Sequence, residues 1–285
     1  MNISGRKGVG YLAHNNRDFI PLNVNQQRTP YNHTFKRQSL EKAYDICFKE
    51  SFESYNNSVR KDRRFQGSYL EKLRSSKSKH SPKEFYEWIV QVGDKSTCGY
   101  DTQNAALAEK ILNEYMKGFI KRNPQLYIFN AVMHRDESTP HIHIDFIPMA
   151  YFEKGQKVRN SLDKALEQMG YGKSINRKKN NTMEWQKQER EALRQLAREQ
   201  GLDIEDEHQN KNKHLDNESY KALAKEIEYQ KQEISTYKDI YQKSLMNLVQ
   251  AIKEKPEILS TINRAVKIAL GKSSLLKENV RERSR

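Results

Sequence analysis

The sequence predicts an α+β fold followed by a helical C-terminal region. Two apolar, β-branched segments, 126–133 and 141–149, are joined by seven polar residues, a spacing typical of an antiparallel hairpin. Amphipathic helical patterns come before this pair, and charged helical patterns come after it. We therefore expect one sheet-and-helix domain over residues 1–200 and a helical region over residues 201–285, for which a coiled coil is one alternative.

The first 125 residues contain two helix patterns and one strand pattern. Glycine and proline residues disfavour regular helix before Pro30. Apolar residues at helical spacing predict an amphipathic helix over 39–58, with Ser39 as its N-cap. Residues 85–92 are aromatic and β-branched and predict a strand, whereas the spacing over 105–121 predicts a second helix.

The remaining chain begins with the hairpin and becomes increasingly charged. Pro148 is expected to end the strand that starts at His141. A Glu-, Arg- and Gln-rich segment predicts a helix over 183–200, and a longer charged helix is expected over 217–253. The apolar residues of the longer helix are sparse for a coiled coil.

The charge balance indicates a polyanionic partner. Lys and Arg number 51 against 37 Asp and Glu, a formal charge of +14, and binding phosphates releases counterions. The composition alone does not separate DNA from RNA or from an anionic membrane surface. Two basic segments are candidates for DNA contact, although charge runs are commonly solvated surface: Arg60, Lys61, Arg63 and Arg64, and Lys173, Arg177, Lys178 and Lys179.

Cysteine usage and hydropathy predict a soluble, cytoplasmic protein. Cys47 and Cys98 form no CxxC motif, which favours a reducing compartment. The N-terminal residues lack the apolar segment of a signal peptide, and no stretch approaches the roughly 20 apolar residues of a spanning helix.

The segment from His134 to His143 contains the strongest chemical signal. Residues two apart in a strand share a face, so His141 and His143 lie side by side, and the hairpin return brings His134 next to them. Three converging imidazoles form a divalent-metal site with positions left open for substrate. Asp136 and Glu137 are expected either to orient a ligand through its second nitrogen or to form the turn.

A metal beside a basic surface favours phosphoryl transfer, and the nucleophile stays open between water, a tyrosine and a histidine. Tyr11 and Tyr31 lie in the loop-rich start, but they are two of 15 tyrosines. Two other functions remain as alternatives. One is a metal-dependent phosphoesterase, and the other is a replication or regulatory DNA-binding protein with a structural metal site.

Two motifs resemble those of a known family. The pattern HxDExTPHxH, read from His134 to His143, is similar to the signature of the Pre/Mob (MobV) relaxases of mobilisable plasmids, also known as plasmid recombination enzymes. The residues from His14 to Arg17 (HNNR) resemble the HNxR motif of the same family. By motif and order the resemblance spans roughly residues 11–150, and the longer motif is the more specific of the two.

The resemblance implies a fold and an active site. The fold is of HUH type: a central antiparallel sheet flanked by helices, with the HxH strand at its centre. The implied ligands of Mn²⁺ or Mg²⁺ are His134, His141 and His143. It further implies that His14 is the nucleophile in place of a tyrosine, that Arg17 binds phosphate, and that Glu137 acts close to the metal and the nucleophile.

The implied function is site- and strand-specific nicking and rejoining of DNA through a covalent 5′-phosphate adduct. The substrate would be single-stranded or hairpin DNA at a plasmid or mobile-element transfer origin. The C-terminal helix is expected to mediate a homo-oligomer or contact with the transfer machinery. One feature departs from the family: a short, glycine-rich segment stands where members commonly carry an apolar first strand, which leaves the position of His14 relative to the sheet open.

Overall fold

A computed structural model describes residues 1–21, 24–78, 81–176, 180–204 and 217–257, together with 259–261, 263–265 and 268. The chain divides into two compact units, Met1–His208 and Gln209–Arg285. All strands of the described residues belong to the first unit.

Within the described residues, six strands form one antiparallel sheet. Five of them follow the order β1-β3-β5-β4-β2, and β6 pairs with the far end of β5. The predicted antiparallel sheet is therefore confirmed, and the HxH strand is the central one. The strands are β1 (Ile3–Lys7), β2 (His33–Arg37), β3 (Tyr86–Val92), β4 (Leu126–His134), β5 (His141–Tyr151) and β6 (Val158–Asn160).

Eight α-helices are found in the described residues. The four long predicted helices are present with ends shifted by no more than two residues, and Ser39 caps its helix by accepting a hydrogen bond from the Lys42 amide at 3.2 Å. The short helices escape prediction because four to seven residues show little periodicity. The helices are α1 (Leu12–Asn15), α2 (Leu40–Ser58), α3 (Tyr69–Ser75), α4 (Lys95–Cys98), α5 (Ala105–Arg122), α6 (Leu162–Leu166), α7 (Asn181–Glu199) and α8 (Asn217–Glu254).

The expectation that Pro148 ends its strand is wrong, because β5 continues to Tyr151. Proline lacks an amide donor, which normally excludes it from a central strand. Pairing with β3 ends at Phe146, and pairing with β6 begins at Met149. Pro148 thus falls in the gap between β3 and β6, so on this edge of β5 no partner strand requires a backbone amide from it.

The glycine-rich N-terminus forms a strand and a short helix, so the expectation of no regular helix before Pro30 is also wrong. Strand β1 pairs with β3 from Ile3 opposite Val92 onwards. Gly5 is required there, since a Cβ atom would lie 2.6 Å from the Trp88 ring. The first strand that the family resemblance calls for is therefore present, with glycine allowing the close approach of Trp88.

The helices cover the two faces of the sheet unequally. Ile142, Ile144 and Phe146 of β5 point into the main core, which they share with residues of α5 and α7. On the opposite face, α2 covers Ile147 in a second apolar cluster. His141 and His143 lie on that second face, at the end of β5 where His134 is paired with His141. The fold therefore places the histidines beyond the apolar cover of α2.

A buried carboxylate fastens α7 to α5. Glu189 is 1% exposed and accepts hydrogen bonds from the Tyr115 hydroxyl at 2.6 Å, from Arg122 at 2.8 and 3.1 Å, and from Asn123 at 2.8 Å. We expect Glu189→Met to lower the free energy of unfolding by about 2 kcal/mol, because it leaves these donors unpaired while Arg122 keeps some solvent.

Urea denaturation measures this effect, and Glu114→Met is the matched control. Glu114 pairs with Lys117 at 2.7 Å on the surface of α5, where an ion pair contributes little, so a change within about 0.5 kcal/mol is expected. Equal losses in the two variants would contradict a structural role for the buried cluster.

The second unit contains the 38-residue helix α8. Ile234, Tyr237, Tyr241 and Leu248 of this helix are exposed. Among the described residues, no helix combines the length and the apolar character that crossing a bilayer requires.

Candidate active site

Four imidazoles converge at the end of β5. The ring centroid of His134 lies 5.2 Å from that of His141 and 4.6 Å from that of His143, and the latter two are 5.0 Å apart. His14 adds a fourth ring, 5.5 Å from His134 and 5.7 Å from His143. The predicted clustering of the three motif histidines is therefore observed, with the predicted nucleophile beside them.

Each motif histidine uses one ring nitrogen to hold its orientation. His134 Nε2 lies 2.9 Å from the Asn15 carbonyl oxygen, and His141 Nδ1 lies 2.8 Å from the Thr139 carbonyl oxygen. His143 Nδ1 lies 2.6 Å from Glu87 Oε1. Because carbonyl and carboxylate oxygens only accept, these three nitrogens donate, and the other nitrogen of each ring carries a lone pair.

Two of these three lone pairs lack a hydrogen-bond donor among the described residues. His134 Nδ1 and His143 Nε2 are buried and have no hydrogen-bond partner among the described residues. Moreover, His134 Nδ1 lies 3.4 Å from Glu137 Oε1, so that two acceptors face each other. Such a contact is unfavourable unless a cation lies between the two atoms.

The ligand atoms fall into two overlapping groups. His14, His134 and His143 have ligand atoms within 4.8 Å of one another, and so do His134, Glu137 and His141. The predicted set of three histidines is thus divided between the groups, with His134 common to both. Imidazole and carboxylate ligands together suit a divalent cation such as Mn²⁺.

The environment keeps His141 and His143 neutral. Burial, together with the charge of neighbouring His143, lowers the pKa of His141 to about 3. Burial also lowers the pKa of His143, against the opposing effect of Glu87. Neutral imidazole is the form that binds metal, so both rings are ready to act as ligands near neutral pH.

The sequence analysis missed the acidic residue behind His143. Glu87 is buried on β3 and accepts hydrogen bonds from His143, from the Asn15 amide at 2.8 Å and from the Gly10 backbone at 2.7 Å. Burial opposes its charge, but these donors lower the pKa of Glu87 below its usual value. A glutamate among the apolar residues of a predicted strand was the feature of the sequence that could have indicated this role.

A second buried carboxylate extends this network. Asp145 accepts hydrogen bonds from Asn15 at 3.0 Å and from Asn130 at 2.9 Å. Burial raises the pKa of Asp145 to about 7, and the charge of Glu87 adds to the shift. The side chain of Asn15 therefore bridges β3 and β5, and its backbone carbonyl holds His134.

The HNNR segment forms α1 and a tight turn that positions His14. Arg17 adopts a positive φ of 56°, which is uncommon for a residue with a side chain. Its guanidinium forms two hydrogen bonds with Asp136, at 2.7 and 2.8 Å, and a third with Glu137 at 2.7 Å. It also donates to the His14 backbone oxygen at 3.0 Å and lies 3.3 Å from His14 Nε2.

These contacts bear on the roles expected for Arg17 and Asp136. The Arg17 side chain is 6% exposed and directed at carboxylates, so binding to phosphate stays a prediction. Asp136 contacts Arg17, Thr29 and Asn32 and no histidine of the described residues, so of its two expected roles, orienting a ligand and forming the turn, the first is not observed. The carboxylate that lies next to the rings is Glu137, 3.4 Å from both His134 and His14.

His14 has the properties of an accessible, neutral imidazole. Its side chain is 27% exposed. Burial and then the positive charge of Arg17 lower the pKa of His14, while Glu137 opposes them. No contact among the described residues joins the hydroxyl of Tyr11 or Tyr31 to the cluster, and both side chains are exposed.

The residues of the basic segments are exposed or lie outside the described residues. The segment from Arg60 to Arg64 is exposed and follows α2. The Ser51 hydroxyl of α2 accepts a hydrogen bond from the Val158 amide, and Val158 pairs with Tyr151 at the far end of β5. Tyr151 is eight residues beyond His143, roughly 26 Å along β5 at 3.3 Å per residue. Lys173 is exposed, whereas Arg177, Lys178 and Lys179 lie outside the described residues.

The comparisons with known proteins agree with the motifs. The family profile Mob_Pre, described as plasmid recombination enzyme, matches residues 7–170, more than half of the chain. No curated protein matches the chain.

Several solved structures are distantly similar. The MobM relaxase domain (MOBV; Mob_Pre), Mn-bound and in complex with 22 nucleotides of plasmid pMV158 oriT DNA, is 19% identical with a TM-score of 0.46. That match covers 78% of this chain and 100% of the other. The same domain with 26 nucleotides is 20% identical with a TM-score of 0.32, over 66% of this chain and 97% of the other. The assignment therefore depends on the profile match and on the two motifs within it: the chain belongs to the plasmid recombination enzyme family, Mob_Pre.

Proposed function

We propose that this enzyme is a relaxase, which nicks and rejoins one strand of DNA at a plasmid or mobile-element transfer origin. The observation that carries the proposal is the position of His14. It is a neutral, partly exposed imidazole beside buried ring nitrogens whose lone pairs require a cation. Such a DNA-processing enzyme acts in the cytoplasm, where plasmid DNA is found.

A divalent metal, Mn²⁺ or Mg²⁺, would be held by His134, His141 and His143, with Glu137 adjacent. When bound, the metal supplies positive charge for the scissile phosphate. The orphaned nitrogens of His134 and His143 fit this role, and Asn15, Thr139 and Glu87 fix the three rings from behind.

The bond-breaking step belongs to His14. The unprotonated imidazole nitrogen attacks phosphorus and the bond to the 3′ oxygen breaks. The ring loses the proton of its other nitrogen as the 3′ oxygen takes one up, so the strand is left with a 3′-OH and a 5′-phosphate bonded to His14. Attack by the 3′-OH reverses the step and releases the histidine, so the strand is rejoined without an external energy source.

Arg17 and Glu137 position the nucleophile. The Arg17 guanidinium directs its donors at His14 Nε2 and at Glu137. Because a guanidinium only donates, the Nε2 atom of His14 carries the lone pair and the ring proton is on the other nitrogen. The positive charge of Arg17, after burial, also lowers the pKa of His14. Arg17 is thus poised to keep the nucleophile in its reactive form.

A cleavage assay tests the proposal. Supercoiled plasmid carrying its own candidate origin is incubated with the enzyme and Mn²⁺, and the products are resolved on a denaturing gel. The relaxase function predicts a nick in one strand with protein on its 5′ end. Nicking without an adduct would favour a metal-dependent phosphoesterase, and binding without nicking would favour a DNA-binding protein with a structural metal.

The pH dependence of nicking follows from the lowered pKa of His14. Only neutral His14 attacks, so the rate falls as the pH drops through the pKa of His14. Arg17→Ala removes the cation that lowers this pKa and leaves Glu137, so the acid limb of the pH–rate profile should move to higher pH. Single-turnover rates measure the shift; Arg17→Lys, which keeps the charge, should largely restore the profile, and an unmoved limb would contradict this role.

The DNA contacts and the helical unit remain proposals. The basic segments from Arg60 to Arg64 and from Lys173 to Lys179 would bind single-stranded or hairpin DNA, and residues 201–285 would mediate self-association or contact with the transfer machinery. Ile234, Tyr241 and Leu248 are exposed and recur every seven residues on α8, as in a coiled coil. Ile234→Glu with Tyr241→Glu should therefore turn an oligomer into a monomer in sedimentation analysis, and an unchanged mass would contradict self-association through α8.

A further inference from the structure

We propose that Tyr11 and Phe19 form a platform on which an unpaired DNA base stacks next to His14. The inference rests on the proposed function and adds a binding surface that neither basic segment supplies. Its occupant is a single strand, because duplex pairing and stacking hide the faces of the bases.

The platform is a cluster of exposed apolar side chains. The rings of Tyr11 and Phe19 have centroids 5.7 Å apart and planes inclined by 40°. Tyr11 is 56% exposed and Phe19 42%, and they are flanked in the chain by Val9 at 91% and Ile20 at 50%. Aromatic groups gathered at a polar surface favour a partner that covers them.

The platform is joined to the nucleophile by the backbone of α1. The Tyr11 carbonyl oxygen accepts hydrogen bonds from the amides of His14 and Asn15, both at 3.0 Å. The Asp18 amide bonds to the Ala13 carbonyl oxygen at 2.9 Å, which turns the chain back so that Phe19 meets Tyr11. Tyr11 and His14 are therefore one helical turn apart, which places the platform next to the segment that carries the nucleophile.

The charge beside the platform favours a phosphate backbone over an apolar peptide. Lys7 and Lys83 are exposed, and neither forms an ion pair with a carboxylate in the described part of the chain. Partial burial and then the charge of Lys83 lower the pKa of Lys7, so the two ammonium groups interact electrostatically.

Only a few residues of chain separate Lys7 and Lys83 from the platform. The Gly8 amide donates a hydrogen bond to the Glu87 carbonyl oxygen, and Gly10 packs against the ring of Phe85. Phe85 follows Lys83 by two residues. Two neighbouring unpaired cations next to an aromatic surface form the combination that binds single strands without sequence preference.

Binding of a labelled dT₁₂ oligonucleotide, followed by fluorescence anisotropy, tests the platform in the full chain. Tyr11→Ala and Phe19→Leu should each weaken binding about tenfold, because each removes an aromatic face. Tyr11→Phe keeps the ring and should bind as the wild type does. Tyr151→Ala is the matched control, since Tyr151 is 51% exposed at the opposite end of β5.

An abasic strand of the same length isolates the stacking contribution. Wild type, Tyr11→Ala and Phe19→Leu should bind that strand equally, because it offers phosphates without bases. Unchanged affinity of both variants for dT₁₂ would overturn the platform, and so would an equal loss on the abasic strand.

The nicking assay separates this inference from the proposed function. Wild-type nicking with a covalent adduct, together with full dT₁₂ binding by both variants, would refute the platform and leave the relaxase function intact. A wild-type protein that neither nicks its origin nor binds dT₁₂ would refute both.

Discussion

Replacement of His14 by alanine is expected to abolish covalent attachment to DNA and to slow nicking by roughly 10⁴-fold. The variant removes the nucleophile but leaves the ligand cluster, because His134, His141 and His143 are held by Asn15, Thr139 and Glu87. A denaturing gel of a strand labelled at its 3′ end measures both the nick and the adduct, because the labelled fragment carries the protein on its 5′-phosphate.

Three variants serve as matched controls for His14→Ala. Tyr11→Phe and Tyr31→Phe remove the hydroxyls of the two tyrosines in the N-terminal segment and should nick normally. His33→Ala removes an exposed histidine of β2 and should also be active. An adduct that persists in His14→Ala and disappears in a tyrosine variant would contradict the histidine nucleophile.

Removal of the divalent metal is expected to stop nicking completely, and Mn²⁺ should restore it. His143→Ala should weaken Mn²⁺ binding by more than about 100-fold, because it deletes a ligand. Glu87→Gln leaves the ligand in place and loses only the carboxylate behind it, so a loss of about 10- to 100-fold is expected.

Isothermal titration with Mn²⁺ measures these affinities without reference to catalysis. His33→Ala again serves as the control and should bind Mn²⁺ as the wild type does. Full affinity in His143→Ala would show that the convergent ring nitrogens are not the binding site. Such a result would leave the unpartnered nitrogen of His143 without an explanation.

Much of the fold was predictable because its long elements repeat at regular spacing. The hairpin of β4 and β5 follows from two apolar segments and a short polar connection, and α5 follows from its apolar periodicity. Strand β1 and the continuation of β5 past Pro148 were not predictable. They depend on tertiary context: the close approach of Trp88 to Gly5, and the gap between β3 and β6.

The candidate site was predictable where it follows from local geometry. Alternation along β5 places His141 and His143 on one face, and the hairpin adds His134. The motif resemblance alone pointed to His14. Glu87 was missed because it lies 56 residues before His143 in the chain. The two roles expected for Asp136 could not be decided from the sequence, because its partners Thr29 and Asn32 lie over 100 residues away.

The central claim is that His14 forms the covalent bond to DNA, and mapping of the trapped complex tests it most directly. The enzyme is incubated with Mn²⁺ and origin DNA, denatured and digested, and the peptide carrying the nucleotide is sequenced by mass spectrometry. The account predicts a 5′-phosphate on the peptide that contains His14, joined by an acid-labile phosphorus–nitrogen bond. A nucleotide on a tyrosine, or cleaved DNA with no modified peptide, would contradict it.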